Sequence, residues 1–270
     1  MELIKVQRLH SRYKEFREDM KNEWEEYSYL NHCINNASTD QFILKSIISD
    51  NSSKKTKKDA GGMQNRFIRG GNTKGHFIAS IGLFETYISF LAKVVFIDYP
   101  HKMSGNGTTE HKLFDLILNS DTKEEMIDRI AEEKVRSIFY GNPADVFLKD
   151  KCKLELGSTF STDFFEAISL YQEITGRRNA IIHNSGRVDV KYLRENKESK
   201  FLEGQKIVIS EDYLRGTIGL LMGIAAKTTE CVIKKIYKGT IKGKLGGMVA
   251  SFERCYKSGW YKKLLVDSTN

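Results

Sequence analysis

The sequence predicts an all-α protein, and three features support this fold class. Only two prolines occur among 270 residues, so few positions interrupt a helix. Helix-favouring residues such as lysine, glutamate and leucine are abundant. Apolar residues recur at intervals of three and four, which is the spacing of one face of an amphipathic helix. With 40% hydrophobic residues, the chain can bury one sizeable core beside a smaller helical appendage.

Residues 1–50 are predicted to form an N-terminal helical hairpin. Its first helix, over residues 2–34, carries an apolar stripe at helical spacing: Leu9, Tyr13, Phe16, Met20, Trp24, Tyr27 and Leu30. Such a stripe favours a core or partner contact, and base stacking is the alternative. Ser38-Thr39-Asp40 can cap a second, short helix that ends at Ile48.

Residues 51–74 are rich in lysine, glycine and serine, and they predict a mobile loop or linker. Its glycine pairs are not followed by Gly-Lys-Ser/Thr, which argues against a phosphate-binding loop. The lysines of this segment either bind a nucleic-acid backbone or simply keep a loop solvated. They are Lys54, Lys55, Lys57 and Lys58.

A helical domain is predicted over residues 75–238. The apolar stretch 73–99 indicates a buried helix that Pro100 ends. Glu85 falls on its apolar stripe, where a carboxylate needs a partner such as Arg178; alternatively, Glu85 lies at the solvent edge of the stripe. Further helices are predicted over 110–119, from a cap at 120–122 through Phe139, and over 142–148. Short links between them favour an antiparallel bundle.

The chain after residue 186 contains one predicted extended segment, near 186–209, in which 204–210 pairs with 188–192. Ser210 is expected to cap a long helix over 211–238. Residues 239–270 form a basic C-terminal extension. The basic face near its start is either an RNA contact or an ordinary solvated surface. It consists of Lys234, Lys235, Lys238, Lys242 and Lys244.

The strongest functional signal is GRRNAIIHNSGRVDV, residues 176–190. Ser161 and Asp163 are expected to begin its helix, and Asn184-Ser185-Gly186 to end it. Arg178 continues an apolar seam, so its charge needs a carboxylate, a phosphate or a wet cleft. The seam consists of Ala167, Tyr171, Ile174, Arg178 and Ile181.

Asn179 and His183 are four residues apart and share a helical face. An imidazole can take a proton from a ribose 2′-hydroxyl, and Arg178 can stabilise the negative charge that develops on phosphate. This chemistry needs no metal. The alternative is that Arg178 pairs structurally with a carboxylate and that His183 is only a helix-terminal residue.

The string RRNAIIHNSGRVDVKYL resembles the signature of the HEPN-domain family, in which an arginine, a polar residue and a histidine share one helix. It is most similar to HEPN-like ribonucleases of prokaryotic toxin–antitoxin and anti-phage systems. The resemblance covers about residues 75–238 and implies a HEPN-type antiparallel helical bundle. It also implies a metal-independent endoribonuclease without a cofactor, which leaves 2′,3′-cyclic phosphate and 5′-hydroxyl ends.

The resemblance implies that Arg178, Asn179 and His183 are catalytic. Glu85 and Arg177 are predicted to have supporting roles. On an ideal helix, the side chains of Arg178 and His183 point about 140° apart. This favours a homodimer whose composite site forms between two motif helices. An antitoxin or defence-system partner is also implied. The competing hypothesis is a non-catalytic protein that uses the same helix for dimerisation and its basic surfaces for nucleic acid.

The formal net charge of +8 and the pI near 9.1 favour a polyanionic partner such as RNA, and no membrane partner is expected. The charged N-terminus lacks the apolar core of a signal peptide. The cysteines show no paired CxxC spacing, so neither a zinc site nor a disulfide framework is predicted. They are expected to be reduced thiols of a cytoplasmic protein. They are Cys33, Cys152, Cys231 and Cys255.

Overall fold

The computed structural model describes residues 2–38, 40–45, 47–48, 51–103, 116, 118–197 and 199–266. Helices make up 73% of the structure and strands 4%, which is compatible with the predicted all-α class. The α-helices are α1 (Glu2–Asn36), α2 (Lys57–Arg66), α3 (Asn72–Asp98), α4 (Lys123–Arg136), α5 (Asp145–Leu148), α6 (Phe165–His183), α7 (Val190–Glu195), α8 (Glu211–Cys231), α9 (Gly243–Lys257) and α10 (Trp260–Val266). Most of the helix predicted over 110–119 lies outside the described residues.

Helices α3 and α8 form the centre of the core. They pack against each other, α1 covers both, and α9 and α10 cover α8. Two helical stretches, Asn72–Asp98 and Glu211–Ile236, are long and apolar enough to cross a bilayer. Their apolar windows are 56% and 89% buried inside the fold, which is compatible with core helices of a soluble protein.

The aromatic stripe of α1 is part of the core. Tyr13 and Phe16 are almost fully buried, and Phe16 stacks on Tyr87 of α3 with ring centroids 4.5 Å apart. The Tyr13 hydroxyl donates a hydrogen bond to the Met222 carbonyl of α8 (3.2 Å). The predicted core role is therefore confirmed for the stripe from Leu9 to Tyr27, in which Trp24 is partly buried, whereas Leu30 at its end is exposed. The buried rings cannot stack on bases.

The predicted N-terminal helical hairpin is wrong, because α1 is followed by a β-hairpin. Strand β1 (Phe42–Lys45) pairs antiparallel with β2 (Ser52–Lys55), and Phe42 lies opposite Lys55. A helix from residue 38 to 48 would have only about three turns, which is marginal without packing. The residues of β1 are exposed, so tertiary packing offers such a helix no support.

The predicted loop over residues 51–74 is also wrong, since β2, α2, a π-helical turn (Phe67–Gly71) and the start of α3 occupy it. Helix α2 begins with a reciprocal capping box. The Asp59 amide donates to the Thr56 hydroxyl (3.2 Å), and the Thr56 amide donates to the Asp59 carboxylate (2.9 Å).

Several predicted helix boundaries are confirmed. Thr122 caps α4, Ser210 caps α8, and α3 ends at Asp98, two residues before Pro100. The motif helix begins differently from the prediction. A π-helical turn at Thr159–Asp163 precedes α6, and the residue at its N-cap, Phe164, offers no side-chain hydrogen bond.

The predicted extended pairing is present over part of its length. The Val188 amide donates to the Gln205 carbonyl (2.9 Å), and Arg187 bridges Lys206. The pairing ends there, because Val190–Glu195 forms the short helix α7. The C-terminal extension is helical through α9 and α10.

Close packing of α8 on α9 generates a stability prediction. A Cβ at Gly223 would overlap the buried Phe252 ring. We therefore expect Gly223→Ala to lower the free energy of unfolding by about 1–3 kcal/mol in denaturant titrations.

The matched control is Gly247→Ala in α9, where an added Cβ meets no heavy atom within 4 Å. This change should raise the free energy of unfolding by about 0.5–1 kcal/mol, because alanine favours a helix interior over glycine. Equal effects of the two substitutions would contradict the packing account.

Candidate functional site

The motif helix is anchored by Arg177, which is 1% exposed and is the largest fully buried side chain in the described residues. Its Nε forms an ion pair with Oε1 of Glu173 (2.5 Å), one helical turn earlier. The guanidinium lies over the ring of Tyr213, 3.9 Å from the centroid, and 5.1 Å from that of Phe201. The sequence placed Arg178 on the seam, where it is half-buried and pairs with Glu85, whereas the fully buried arginine is its neighbour Arg177.

Glu173 joins three helices. Its carboxylate accepts hydrogen bonds from the hydroxyls of Tyr192 in α7 (2.6 Å) and Tyr213 in α8. Burial raises the pKa of both tyrosines well above the usual range, so both phenols stay protonated and donate. The buried arginine and its carboxylate therefore fix α6 against α7 and α8.

Arg178 is less buried and points to α3. Its Nη2 contacts Oε1 of Glu85 at 2.5 Å, with 25% of the arginine side chain and 19% of the glutamate side chain exposed. Burial raises the pKa of Glu85, although the positive charge of Arg178 opposes that shift. The predicted Glu85–Arg178 pair is thus confirmed, and Glu85 is half-buried.

Two polar atoms beside this pair lack hydrogen bonds. Within the described residues, the buried Nε of Arg178 and the buried hydroxyl of Tyr171 have no partner. Burial, with the nearby negative charge of Glu85, raises the Tyr171 pKa far above its ordinary value. The phenol is therefore neutral, and Arg178 is held through a single contact with one carboxylate oxygen.

Asn179 and His183 do not take part in this ion pair. His183 is the last residue of α6 and is exposed, while Asn179 is half-buried. In the part of the chain that the structure describes, no hydrogen bond joins Arg178, Asn179 and His183 to one another. A single chain therefore presents the three motif side chains without bringing them together.

The turn after His183 is well defined. Ser185 and Gly186 adopt positive φ angles (52° and 76°), and the Gly186 amide donates to the Ala180 carbonyl (2.9 Å). The Asn184 side chain donates to Asp189 (2.5 Å), which caps α7 by accepting from the Tyr192 amide (2.7 Å). The predicted helix-ending role of residues 184–186 is confirmed.

The lysines that were predicted to contact RNA lie in different parts of the structure. Lys234 pairs with Glu230 (2.6 Å), and Lys235 donates to the Leu156 carbonyl (3.1 Å), so both are engaged within the fold. Lys238 and Lys242 line a groove beside α1. The four lysines of the 51–74 segment do not line that groove: Lys54 and Lys55 lie on β2, and Lys57 and Lys58 begin α2.

One more lysine, Lys244, lies in the same groove, and so do two residues that sequence analysis missed, His10 and Lys14. More than 220 residues of sequence separate the two walls of the groove, so no local sequence pattern could have shown that they are close in space. The cysteines are free thiols, and the described residues contain no group of three potential metal ligands. No protein-family model, curated protein or solved structure matches this chain.

The anchoring of α6 by Arg177 can be tested by substitution. Arg177→Met leaves the Glu173 carboxylate without its cation, and we expect a loss of about 3 kcal/mol in the free energy of unfolding. Arg194→Met, at an exposed position of α7, is the control and should change stability little.

The double variant Arg177→Met/Glu173→Gln removes both charges, and it should recover part of the loss because no unpaired charge then remains. Losses that simply add in the double variant would show that the two side chains do not interact.

The Asp189 cap gives a pH-dependent prediction. Hydrogen bonding from the Tyr192 amide, with further help from Asn184, lowers the pKa of Asp189. Its stabilisation is therefore present above the pKa of an unfolded aspartate and is lost as the pH falls through the lower folded-state value. Asp189→Ala should cost about 1 kcal/mol at neutral pH, and this difference from wild type should shrink below about pH 4.

Thermal unfolding across pH measures this difference. Asp189→Asn is the control, because an amide oxygen can still cap α7 but does not titrate. A stability gap between wild type and Asp189→Ala that stays constant into acid would contradict the assigned role of the carboxylate.

Proposed function

We propose that this chain is a metal-independent endoribonuclease whose active site forms where the α6 helices of two copies meet. The proposal rests on where the arginine and histidine of the Arg-Asn-x-x-x-His string lie at the C-terminal end of α6. Arg178 is held by Glu85 while still partly exposed, and His183 stands in solvent one and a half turns further on. The HEPN-like fold and the role in defence remain part of this proposal.

The reaction uses groups that the motif supplies. His183 accepts the proton of a ribose 2′-hydroxyl, and the 2′-oxygen attacks the adjacent phosphorus. The bond from phosphorus to the 5′-oxygen breaks, and that oxygen leaves with a proton from solvent water, while the imidazolium of His183 releases its proton to solvent. The products carry a 2′,3′-cyclic phosphate and a 5′-hydroxyl. A positioned imidazole of this kind contributes about 10²- to 10⁴-fold to the rate.

Arg178 stabilises the negative charge on the phosphorane. Glu85 contacts only Nη2, and within the described residues no hydrogen bond engages Nη1. The guanidinium can therefore donate to a phosphate oxygen while the carboxylate keeps it oriented. Asn179 lies between the two catalytic groups in sequence, and its amide can hold either the imidazole or the phosphate.

Exposed apolar side chains support contact between two copies near the motif. Ile182 and Val190, on either side of the helix end, are 48% and 61% exposed. Burying such side chains against a second copy is favourable by about 25 cal/mol for each Å² of apolar surface. A two-fold contact through this region brings one copy's Arg178 towards the other's His183, which one helix alone cannot do.

The proposal predicts cleavage of RNA in EDTA. Purified protein is incubated with total RNA and a tRNA pool, and product ends are analysed. We expect cyclic-phosphate ends with wild type and at least about a 100-fold lower rate with His183→Ala or Arg178→Ala. His32→Ala and Arg194→Ala remove exposed side chains of the same types elsewhere and should cleave normally.

Mixing the two inactive variants tests the composite site. In a randomly mixed population, half of the dimers pair His183→Ala with Arg178→Ala, and each such dimer has one intact site. Activity should therefore return to about a quarter of wild type. No recovery would exclude a shared site, and wild-type cleavage by His183→Ala would exclude the mechanism. Binding of RNA without cleavage by the wild type would favour a non-catalytic nucleic-acid-binding protein.

A further inference from the structure

A groove runs between the first half of α1 and residues 237–245, the segment that leads into α9. It consists of two adjoining cavities of about 520 and 380 Å³ that share Gln7, His10 and Lys242 in their walls. The His10 ring lies 3.3 Å from the Thr240 carbonyl oxygen, which holds the segment against α1. We call this feature the α1–α9 groove.

The segment approaches α1 closely because of a glycine. A Cβ at Gly239 would lie 2.8 Å from the side chain of Val6. The Gly239 amide also donates to the Ile233 carbonyl (2.9 Å), which fixes the turn that ends the helical run of α8. The groove is therefore built by packing and hydrogen bonds.

The α1–α9 groove is strongly cationic. Lys14, Lys238, Lys242 and Lys244 line it together with His10, and no lining residue carries a carboxylate. Lys244 has Glu18 at 3.5 Å, whereas Lys14 and Lys242 form no ion pair in the part of the chain that the structure describes.

Other lysines of the fold lie closer to carboxylates that neutralise their charge. Lys93, for example, lies within 3.0 Å of both Asp128 and Glu132. Like charges gathered in a groove repel one another and favour a bound anion.

The first turn of α9 adds to this field. Helix α9 begins at Gly243, and its N-cap residue, Lys242, makes no side-chain capping bond. Residues 242–245 line the α1–α9 groove, so the free amides of this helix end lie at its wall. Unsatisfied amides and the positive end of the helix dipole both favour phosphate.

The shape of the α1–α9 groove selects among anions. Along α1 the lining runs from Leu3 to Lys14, a rise of about 16 Å, which is longer than a single phosphate group. Leu3, which is 83% exposed, adds apolar surface to the wall and suits contact with a base. The lysines are distributed along a groove between two helices, so the groove can accommodate an extended single strand of nucleic acid.

We infer that the α1–α9 groove binds the phosphate backbone of single-stranded RNA and anchors the substrate outside the α6 motif. This inference rests on the proposed function for the identity of the polymer. Lys14 and Lys242 contact phosphates from opposite walls, and Lys238 and Lys244 extend the contact along the segment. Each cation that neutralises a phosphate releases a condensed counterion, so binding weakens as salt rises.

The test measures binding of a fluorescent single-stranded RNA by anisotropy across a salt series in EDTA. Full-length protein carrying His183→Ala is used, so that the RNA stays intact. Lys14→Gln/Lys242→Gln is the groove variant. Lys257→Gln/Lys263→Gln is the control, because it removes the same charge from exposed lysines of α9 and α10 outside the groove.

We expect the groove variant to bind at least about tenfold more weakly and to lower the slope of log affinity against log salt by about 1.4. The control should match its parent. Single-stranded DNA of the same sequence should show the same loss, since the contacts are to phosphate.

Equal binding by the groove variant and the control overturns the inference, as does an absence of RNA binding by the parent. The ribonuclease proposal and the groove inference can be contradicted independently of each other. If wild type does not cleave RNA but the groove variant loses binding, only the ribonuclease proposal is wrong. If wild type cleaves and the groove variant binds normally, only the groove inference is wrong.

Discussion

The burial of one charge, that of Arg177, is the constraint on which the rest of the motif region depends. A guanidinium that is 1% exposed needs partners for its charge and its donors, and Glu173, Tyr213 and Phe201 supply them. Because the same carboxylate accepts from tyrosines of α7 and α8, a rotation of α6 would break contacts to two helices at once. The buried ion pair thereby fixes which face of α6 meets the core.

The orientation of α6 about its own axis determines where the side chains next to Arg177 point. Adjacent residues on a helix point about 100° apart, so burying Arg177 directs Arg178 towards α3 and Glu85. The same geometry leaves Asn179 half-buried and His183 in solvent at the helix end. Arg177 is thus engaged in structural contacts, while Arg178 pairs with Glu85 through Nη2. Under the proposed function, the other donors of Arg178 hold a phosphate. The separation of Arg178 from His183 follows from the geometry of the helix itself, and under the proposed function a second copy brings the two side chains together.

Under the proposed function, the two basic features of the molecule have different roles in binding RNA. The helix end carries a histidine and a partly exposed arginine, which suit chemistry at one phosphodiester. The α1–α9 groove carries several lysines and no carboxylate, which suits sequence-independent attachment to a backbone. The lysine ammonium group is a compact charge on a flexible side chain, which suits backbone contacts along the groove. The arginine guanidinium is planar and rigid, which suits oriented hydrogen bonds at the helix end.

The sequence by itself determined the features that depend on neighbours along the chain. The stripe of α1, the caps at Thr122 and Ser210, the end of α3 before Pro100 and the turn after His183 all follow from helical spacing and end chemistry. The pairing of Glu85 with Arg178 could also be predicted, because each is a charge on an apolar stripe in need of a partner. Only the tertiary structure decided that Arg177 is the buried arginine, that a β-hairpin follows α1, and that His10 and Lys14 face the lysines near residue 242. These depend on which distant surfaces meet, and the apolar periodicity of one segment does not specify its partner.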